Sequence, residues 1–556
     1  MLRLPSGGAA GLALGLSVLA GSAACGLAQQ PPERATPVAT APAAAPTGPR
    51  PTLLVFLTVD QLRTDYLTSR FGAQLTGGLK RLRDGGALFV DAHHDHAISE
   101  TAPGHASTMS GRHPMRTGIV RNAAGVQDAN APLLAGGSTG PASPARFRGT
   151  VLFDWIRAGE PTSRALSISR KDRGAILPLG RAKQQVYWWG GASGFTTSAY
   201  YADTLPEWIR RVNARGFGAR YAGRSWTPLL ADSAYPEPDG VSTRWGMASG
   251  NFPHVVPEDT TAAMKALPAF PWMDDVTLEA ALAGVGALQL GRGPATDVLA
   301  VSLSTTDAVG HGYGMESREL HDQVLRLDRA LGTFLDSLFR LRDSTRIVIA
   351  LTGDHGMAPV PQLHFARERA RDAGFGYADV APVLRAHNTG LAARGIPEAG
   401  QWDLESGALV VDTAALRRAR LRPDSALDAL LRDLQRTPGV LYATPRRDLA
   451  RIAAGRDTTA AKYARRWLHM LPADLPVVAT VTLKPHWYWG GVSYATHGSP
   501  HDYDTNVPVL FWGRPFRAGS YREFARVVDM APTLAAALGV TPAEPLDGVV
   551  LRQALR

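Results

Sequence analysis

Leu53-Leu54-Val55-Phe56-Leu57-Thr58-Val59 is an unbroken apolar run that stops at an acid, Asp60. A strand with one wet face alternates apolar and polar side chains. A run without alternation is predicted as a strand covered on both faces, as in an α/β sheet held between helices. Three similar runs follow: residues 298–303 shortly before Asp307, residues 347–351 before Asp354, and residues 507–512. The expected fold class is therefore α/β, with a central, largely parallel sheet flanked by helices. Helical periodicity is read over residues 320–341 and 524–538, and helical Leu/Arg stretches over residues 416–434. In open α/β sheets ligands sit beyond the carboxyl ends of the strands. Three of the four runs deliver an acid there, which points to one shared site.

Those acids are accompanied by imidazoles. His311 follows Asp307 at an i, i+4 spacing, which places both on one side of a helical turn. His355 follows Asp354 directly, between Gly353 and Gly356, and His497 lies beside Gly498. Asp60, Asp307, His311, Asp354, His355 and His497 make three carboxylates and three imidazoles, a set that suits two zinc-like ions, with no thiolate among them. His93, His94 and His96 with Asp95 form a denser histidine cluster, but without a catalytic spacing. That segment is expected to be a polar loop behind the site.

Ser99-Glu100-Thr101-Ala102-Pro103-Gly104-His105 supplies a hydroxyl. Pro103 and the later Gly111 fit a short helix beginning just after Thr101, whose positive end would favour a phosphoryl group. Thr101 is the expected nucleophile, because a coordinated hydroxyl deprotonates at accessible pH. The competing reading is that Thr101 only caps the helix.

Composition limits the partners. The chain has 556 residues, 45% hydrophobic and 19% charged, enough for a large core. Its formal charge of +10 comes mostly from Arg scattered among Ala, Pro and Gly, so no nucleic-acid partner is expected. Arg3 and the apolar residues 8–20, followed by Gly26-Leu27-Ala28, read as an export signal over residues 1–28, implying a periplasmic or secreted protein. Cys25, the only cysteine, has two readings: loss with the signal, or lipidation. Residues 29–50 read as a Pro/Ala-rich linker. Residues 51–556 are expected to form one catalytic domain, with a Trp/Tyr/Gly-rich insertion or cap over about 184–269 and a second insertion over about 362–479, at the far edge. The aromatics of the first are read as structural rather than substrate-stacking. No membrane span is expected, and the oligomeric state is left open.

The order Asp60; Thr101-Ala-Pro-Gly-His105; Gly118-Ile-Val-Arg-Asn122; Asp307-x3-His311; Asp354-His355-Gly356; His497 resembles the alkaline phosphatase superfamily. More narrowly, it is similar to the branch that includes nucleotide pyrophosphatase/phosphodiesterases and PafA-type alkaline phosphatases. Residues 528–534 extend the likeness towards the C-terminus. The resemblance implies one zinc on Asp307, His311 and His497, and another on Asp60, Thr101, Asp354 and His355. Residues 169–178 resemble the Lys-x-Arg segment of PafA-type phosphatases. If that segment is extended, Lys171 and Arg173 share a face. With Asn122 they would bind the three free oxygens of a monoester, which carries one more negative charge than a diester. The implied activity is alkaline phosphatase hydrolysis of small phosphate monoesters with two zinc ions, through a phosphothreonine. Three alternatives remain: a phosphodiesterase or nucleotide pyrophosphatase, a phosphoglycerate-mutase-like isomerase, and a non-catalytic secreted metal- or phosphate-binding protein.

Overall fold

Strand β1 (Leu53–Val59) is buried along its whole length and has a parallel neighbour on each side: β6 (Asp297–Leu303) and β7 (Ile347–Gly353). Its side chains alternate between two cores. Leu53, Val55 and Leu57 pack into the core on one face, Leu54 and Phe56 into that on the other. Both faces are therefore dry, which is why the sequence lacks alternation. The computed structural model describes residues 50–137, 139–237, 251–361, 363, 376–490 and 495–556. The expectations for residues 1–49, Cys25 included, fall outside these. The described residues belong to one compact unit.

The remaining strands of the central sheet are β2 (Ala87–Phe89), β3 (Ala165–Ser169), β4 (Gln185–Trp189), β5 (Phe195–Thr196), β12 (Val509–Trp512) and β13 (Gly519–Tyr521). Their order is β13-β2-β12-β7-β1-β6-β3-β4-β5. The block β7-β1-β6-β3-β4 is parallel throughout; β12 and β5 run antiparallel to their neighbours β7 and β4. This is the α/β class expected, a mostly parallel sheet between helices.

Several local expectations shift. β4 and β5 lie inside the stretch read as a cap, yet they complete the central sheet, and the side chains of Tyr187, Trp188 and Trp189 are core. In the second insertion, β8 (Asp403–Glu405), β9 (Ala408–Val410), β10 (Val440–Pro445) and β11 (Val477–Leu483) form a separate sheet in the order β8-β9-β11-β10. This insertion is not remote from the site: Ser406, in the β8–β9 turn, donates to Glu100 Oε1 at 3.1 Å.

The helices that position the site are α1 (Thr101–Thr108), α2 (Pro114–Thr117), α3 (Asp172–Ile176), α4 (Trp272–Ala287), α5 (Thr305–Tyr313) and α6 (Arg318–Leu341). α6 matches its periodicity: Leu320, Val324, Leu327, Leu331, Phe334 and Leu338 are buried on one stripe, and Ser317 caps Leu320 N–H. The 416–434 stretch is interrupted, and α7 (Pro423–Arg436) starts with Pro at its first position. Helix α8 (Thr458–Met470) ends the second insertion's helical part. The helix expected from residue 524 begins later, as α9 (Met530–Leu538). Ala525 pairs with Ala92 in a short ladder, and Asp529 holds Arg526 N–H at 2.8 Å, so the turn precedes the helix.

Candidate active site

Asp60, Asp307 and Asp354 sit just past the carboxyl ends of the adjacent parallel strands β1, β6 and β7. The parallel register aligns Val59 with Leu303 and Gly353, so the three acids emerge at one edge. The ligand atoms of Asp60, Asp354 and His355 lie within 4.8 Å of one another, as do those of Asp307, His311 and His497. Six of the seven residues read as metal ligands, all but Thr101, thus fall into two groups of three. His311 Nε2 is 3.1 Å and His497 Nε2 3.5 Å from Asp307 Oδ1; His355 Nε2 is 3.3 Å from Asp60 Oδ1.

Each imidazole is oriented from behind. Nδ1 of His355 bonds Gly356 O at 2.9 Å, Nδ1 of His311 bonds Ala495 O at 3.0 Å, and Nδ1 of His497 bonds Ser99 O at 2.7 Å. A carbonyl only accepts, so Nδ1 carries a proton in each ring and Nε2 is the nitrogen that faces the carboxylates. His355 Nε2 and Asp60 Oδ1 are buried without a hydrogen bond to any partner, which fits a divalent ion between them.

Charge in the site is balanced within the chain. Lys171 Nζ lies 2.6 Å from Asp60 Oδ2 and 2.6 Å from Asp307 Oδ2, and donates to Thr101 Oγ1 at 3.3 Å. Burial and the Asp307 charge would raise the Asp60 carboxyl, but Lys171 and His355 outweigh them and hold it below the usual range. Burial lowers His355, yet the carboxylates of Asp354 and Asp60 carry it up to about 9. His497, buried beside that cation, is pushed down to about 4.

Thr101 is the first helical residue of α1 rather than its cap; the extended flanking residue is Glu100, at φ −116° and ψ 163°. The helix end itself has little to give an anion. Ala102 N–H donates to Asn122 Oδ1 at 2.8 Å, Pro103 has no N–H, and Gly104 N–H donates to Glu100 O at 3.0 Å. Asn122 N–H in turn donates to Glu100 Oε2 at 2.7 Å. With Asn122 Oδ1 committed, its Nδ2 is the donor available to a substrate. The N–H groups of Ala102 and Gly104 are thus engaged within the chain, which leaves that of Thr101 and the side-chain donors of Lys171 and Asn122 beside the hydroxyl.

The Lys171 segment also differs from the extended form considered above. Lys171 is extended at φ −94° and ψ 141°, but Asp172 opens helix α3, so the two basic residues do not share a strand face. Arg173 lies on the first turn with Nη1 3.5 Å from Asp172 Oδ1 and Nε unpartnered. Lys171 reaches Thr101 and the carboxylates; no such contact joins Arg173 to them among the described residues.

Three participants escaped the sequence reading. Gln61, in the left-handed region at φ 68°, donates its N–H to Asp354 Oδ1 (3.0 Å) and its Nε2 to Asp307 Oδ1 (3.2 Å), linking the two groups. His105 Nδ1 donates to Thr101 O at 2.9 Å and lies 3.2 Å from Asp354 Oδ2. Arg170 Nη2 is 3.9 Å from Asp307 Oδ2. The adjacency of Gln61 to Asp60, and of Arg170 to Lys171, is the only signal the sequence carries for two of them. His94, from the dense histidine segment, bonds Gly353 O at 2.9 Å and so does stand behind Asp354.

Two groups of metal-ligand side chains around a hydroxyl, on a mostly parallel sheet, fit a metal-assisted transferase or hydrolase of phosphoryl groups. The chain belongs to the type I phosphodiesterase / nucleotide pyrophosphatase family, whose description it matches over residues 54–373. It is 30% identical over 530 residues to alkaline phosphatase PhoK of a Sphingomonas species, covering 90% of each chain. To alkaline phosphatase PafA of Elizabethkingia meningoseptica it is 27% identical over 528 residues, 88% of this chain and 92% of the relative. The crystal structure of wild-type PafA has TM-score 0.81 and 25% identity, covering 92% of this chain and 100% of that one.

Proposed function

We propose that the protein is an alkaline phosphatase that hydrolyses phosphate monoesters through a phosphothreonine at Thr101. The observation that carries this reading is the position of Lys171, whose ammonium adjoins the Thr101 hydroxyl and both carboxylate groups. A monoester offers three free oxygens and two charges, so an added cation at that point favours it over a diester. The relatives named alkaline phosphatase PhoK and PafA support the same choice.

Asp60, Asp354 and His355, with Thr101, would hold one zinc, and Asp307, His311 and His497 the other. When bound, the ions supply Lewis acidity towards the attacking and leaving oxygens. Thr101 Oγ1 attacks phosphorus, the bond to the leaving oxygen breaks, and the alcohol departs as phosphothreonine forms. Water then cleaves the new P–O bond, releasing inorganic phosphate and restoring Thr101. Lys171 and Asn122 Nδ2 orient the equatorial oxygens, and Arg173 is proposed as the second cation for them. Gln61 and His105 hold the carboxylates in register. Residues 1–28 are proposed as an export signal that places the enzyme in the periplasm or outside the cell.

The test compares rates on aryl phosphate mono- and diesters, with metal analysis of the same sample. Faster monoester turnover, two zinc per chain, and loss of activity with the phosphoenzyme in Thr101→Ala are expected. A strong diester preference would instead establish the phosphodiesterase reading that the family description also allows.

A further inference from the structure

Away from the catalytic groups, a third cluster of ligand-type side chains is assembled from three separate parts of the chain. Asp95 comes from the loop before α1, His113 immediately precedes α2, and His469 lies in the last turn of α8. One donor atom from each lies within 4.8 Å of the others, the same spacing found in both catalytic groups.

The side chains are prepared as ligands in the same way as the catalytic imidazoles. His469 Nδ1 bonds Asp95 O at 2.7 Å and lies 3.3 Å from Asp95 Oδ2, so Nε2 is the ring nitrogen turned away from Asp95, as the Nε2 atoms of His311, His355 and His497 are turned away from their backbone partners. His113 is 2% exposed, and neither of its ring nitrogens has a hydrogen-bond partner; Asp95 Oδ1 is buried without a hydrogen bond, beside the Arg466 guanidinium. Leaving both nitrogens of a buried imidazole without a hydrogen bond costs free energy that a bound ion would offset. The rings of His113 and His469 stack at 4.0 Å and 6°, so the two side chains are in contact and one ring must turn for both to ligate the same ion in their ring planes. His96, next to Asp95, is 1% exposed with both nitrogens unpartnered and is the nearest source in sequence of a fourth donor.

Two cations border the cluster. Arg465 Nε is 3.4 Å from Asp95 Oδ2, and Arg466 Nε is 3.5 Å from Asp95 Oδ1, while Arg466 also pairs with Asp502 at 3.0 Å. This surrounding charge disfavours hard ions such as calcium or magnesium, which depend on several carboxylates. It is compatible with a late transition metal, whose bonds to imidazole nitrogen are short and partly covalent.

We propose that Asp95, His113 and His469 form a third metal site, for zinc or a similar transition ion, that fastens helix α8 of the second insertion to the catalytic core. Helix α8 packs against α2. The polypeptide between them, from Thr117 to Thr458, includes strands β3, β4, β6 and β7 of the catalytic sheet, so a tie here closes a long loop. A disulfide cannot serve, since the chain has one cysteine. The site needs no part in phosphoryl transfer, and it stands whether the catalytic ions number two or otherwise.

The experiment titrates metal-free full-length protein with Co2+, following visible absorption and equivalents bound. Wild type should bind one equivalent more than His469→Gln and His113→Gln. Asp307→Asn/Asp354→Asn protein, crippled at the catalytic groups, should still bind one equivalent that His469→Gln then removes. His469→Gln should keep the monoester rate but lose part of the thermal protection that Co2+ gives wild type. Equal binding by wild type and His469→Gln overturns the site. The half-buried His469 tolerates Gln without a core cavity, so this comparison holds even if His113→Gln folds poorly.

Discussion

Nζ of Lys171 lies 2.6 Å from Oδ2 of Asp307, so the cation read as a substrate contact also touches a residue read as a metal ligand. In metal-free protein that ammonium offsets the crowded carboxylates; with metals and substrate bound, the same charge is available to a phosphoryl oxygen. Lys171→Ala should therefore do two things. It should reduce kcat/KM on monoesters by about 10²–10³-fold, the usual effect of removing one charge-stabilising donor, and reduce diester turnover much less. It should also lower the thermal midpoint in chelator more than in excess zinc. Equal losses on both substrate classes would place Lys171 in scaffold maintenance instead.

His105 separates a positioning role from a catalytic one. Its Nδ1 proton serves Thr101 O and faces Asp354 Oδ2, and its Nε2 meets Ser302 Oγ at 2.9 Å. Without it, both the nucleophile's peptide and the adjacent carboxylate lose a fixed neighbour. His105→Ala should weaken metal binding by about 10–100-fold, with activity recovered in part by excess zinc. Activity unchanged across metal concentration would show that Asp354 is held adequately by Gln61 alone.

The legible parts of this protein were those written in local chemistry. The dry run before Asp60 is readable because both faces of β1 meet apolar cores, and the ligand set because Asp and His are the residue types zinc takes. Gln61 and His105 were not legible: their partners Asp307 and Ser302 lie 246 and 197 residues away. The Lys171 segment shows the limit of spacing. Residues two apart share a face only in a strand, and Asp172, placed to accept Arg173 N–H at 2.6 Å, starts a helix instead. The second insertion likewise bears no local mark of its approach to Glu100.

Gly104 tests how closely α1 must approach the β7 loop. A Cβ there would fall 2.0 Å from Asp354 O, against backbone that cannot turn aside. Gly104→Ala should destabilise by about 1–3 kcal/mol or more and abolish activity by displacing Asp354 from Thr101. Gly286→Ala is the matched control, in helix α4 with nothing within 4 Å of the new carbon. It should stabilise by about 0.4–1 kcal/mol in urea unfolding and leave turnover alone. Comparable stability in both variants would mean that the loop can yield.

Asp274 predicts a pH dependence of stability separate from the metal chemistry. It is buried in α4, accepting from Thr305 N–H at 3.2 Å and Gln323 Nε2 at 2.9 Å, and burial pushes its carboxyl up to about 7. Below pH 4 the carboxyl is protonated folded or unfolded and contributes nothing. Between about 4 and 7 the unfolded chain ionises while the folded chain does not, so folding loses stability as pH rises. The slope from this one group approaches about 1.4 kcal/mol per pH unit, and the cost is constant above 7. Asp274→Asn removes the ionisation, and the Gln323 amide can turn, since its Oε1 has no hydrogen-bond partner. Relative to wild type, the variant should gain stability steadily from pH 4.5 to 7 in denaturant titrations and hold that gain at pH 8. A difference that does not change across that interval would mean Asp274 is ionised in the folded protein and neutralised there, with Arg170 the cation whose charge acts on it.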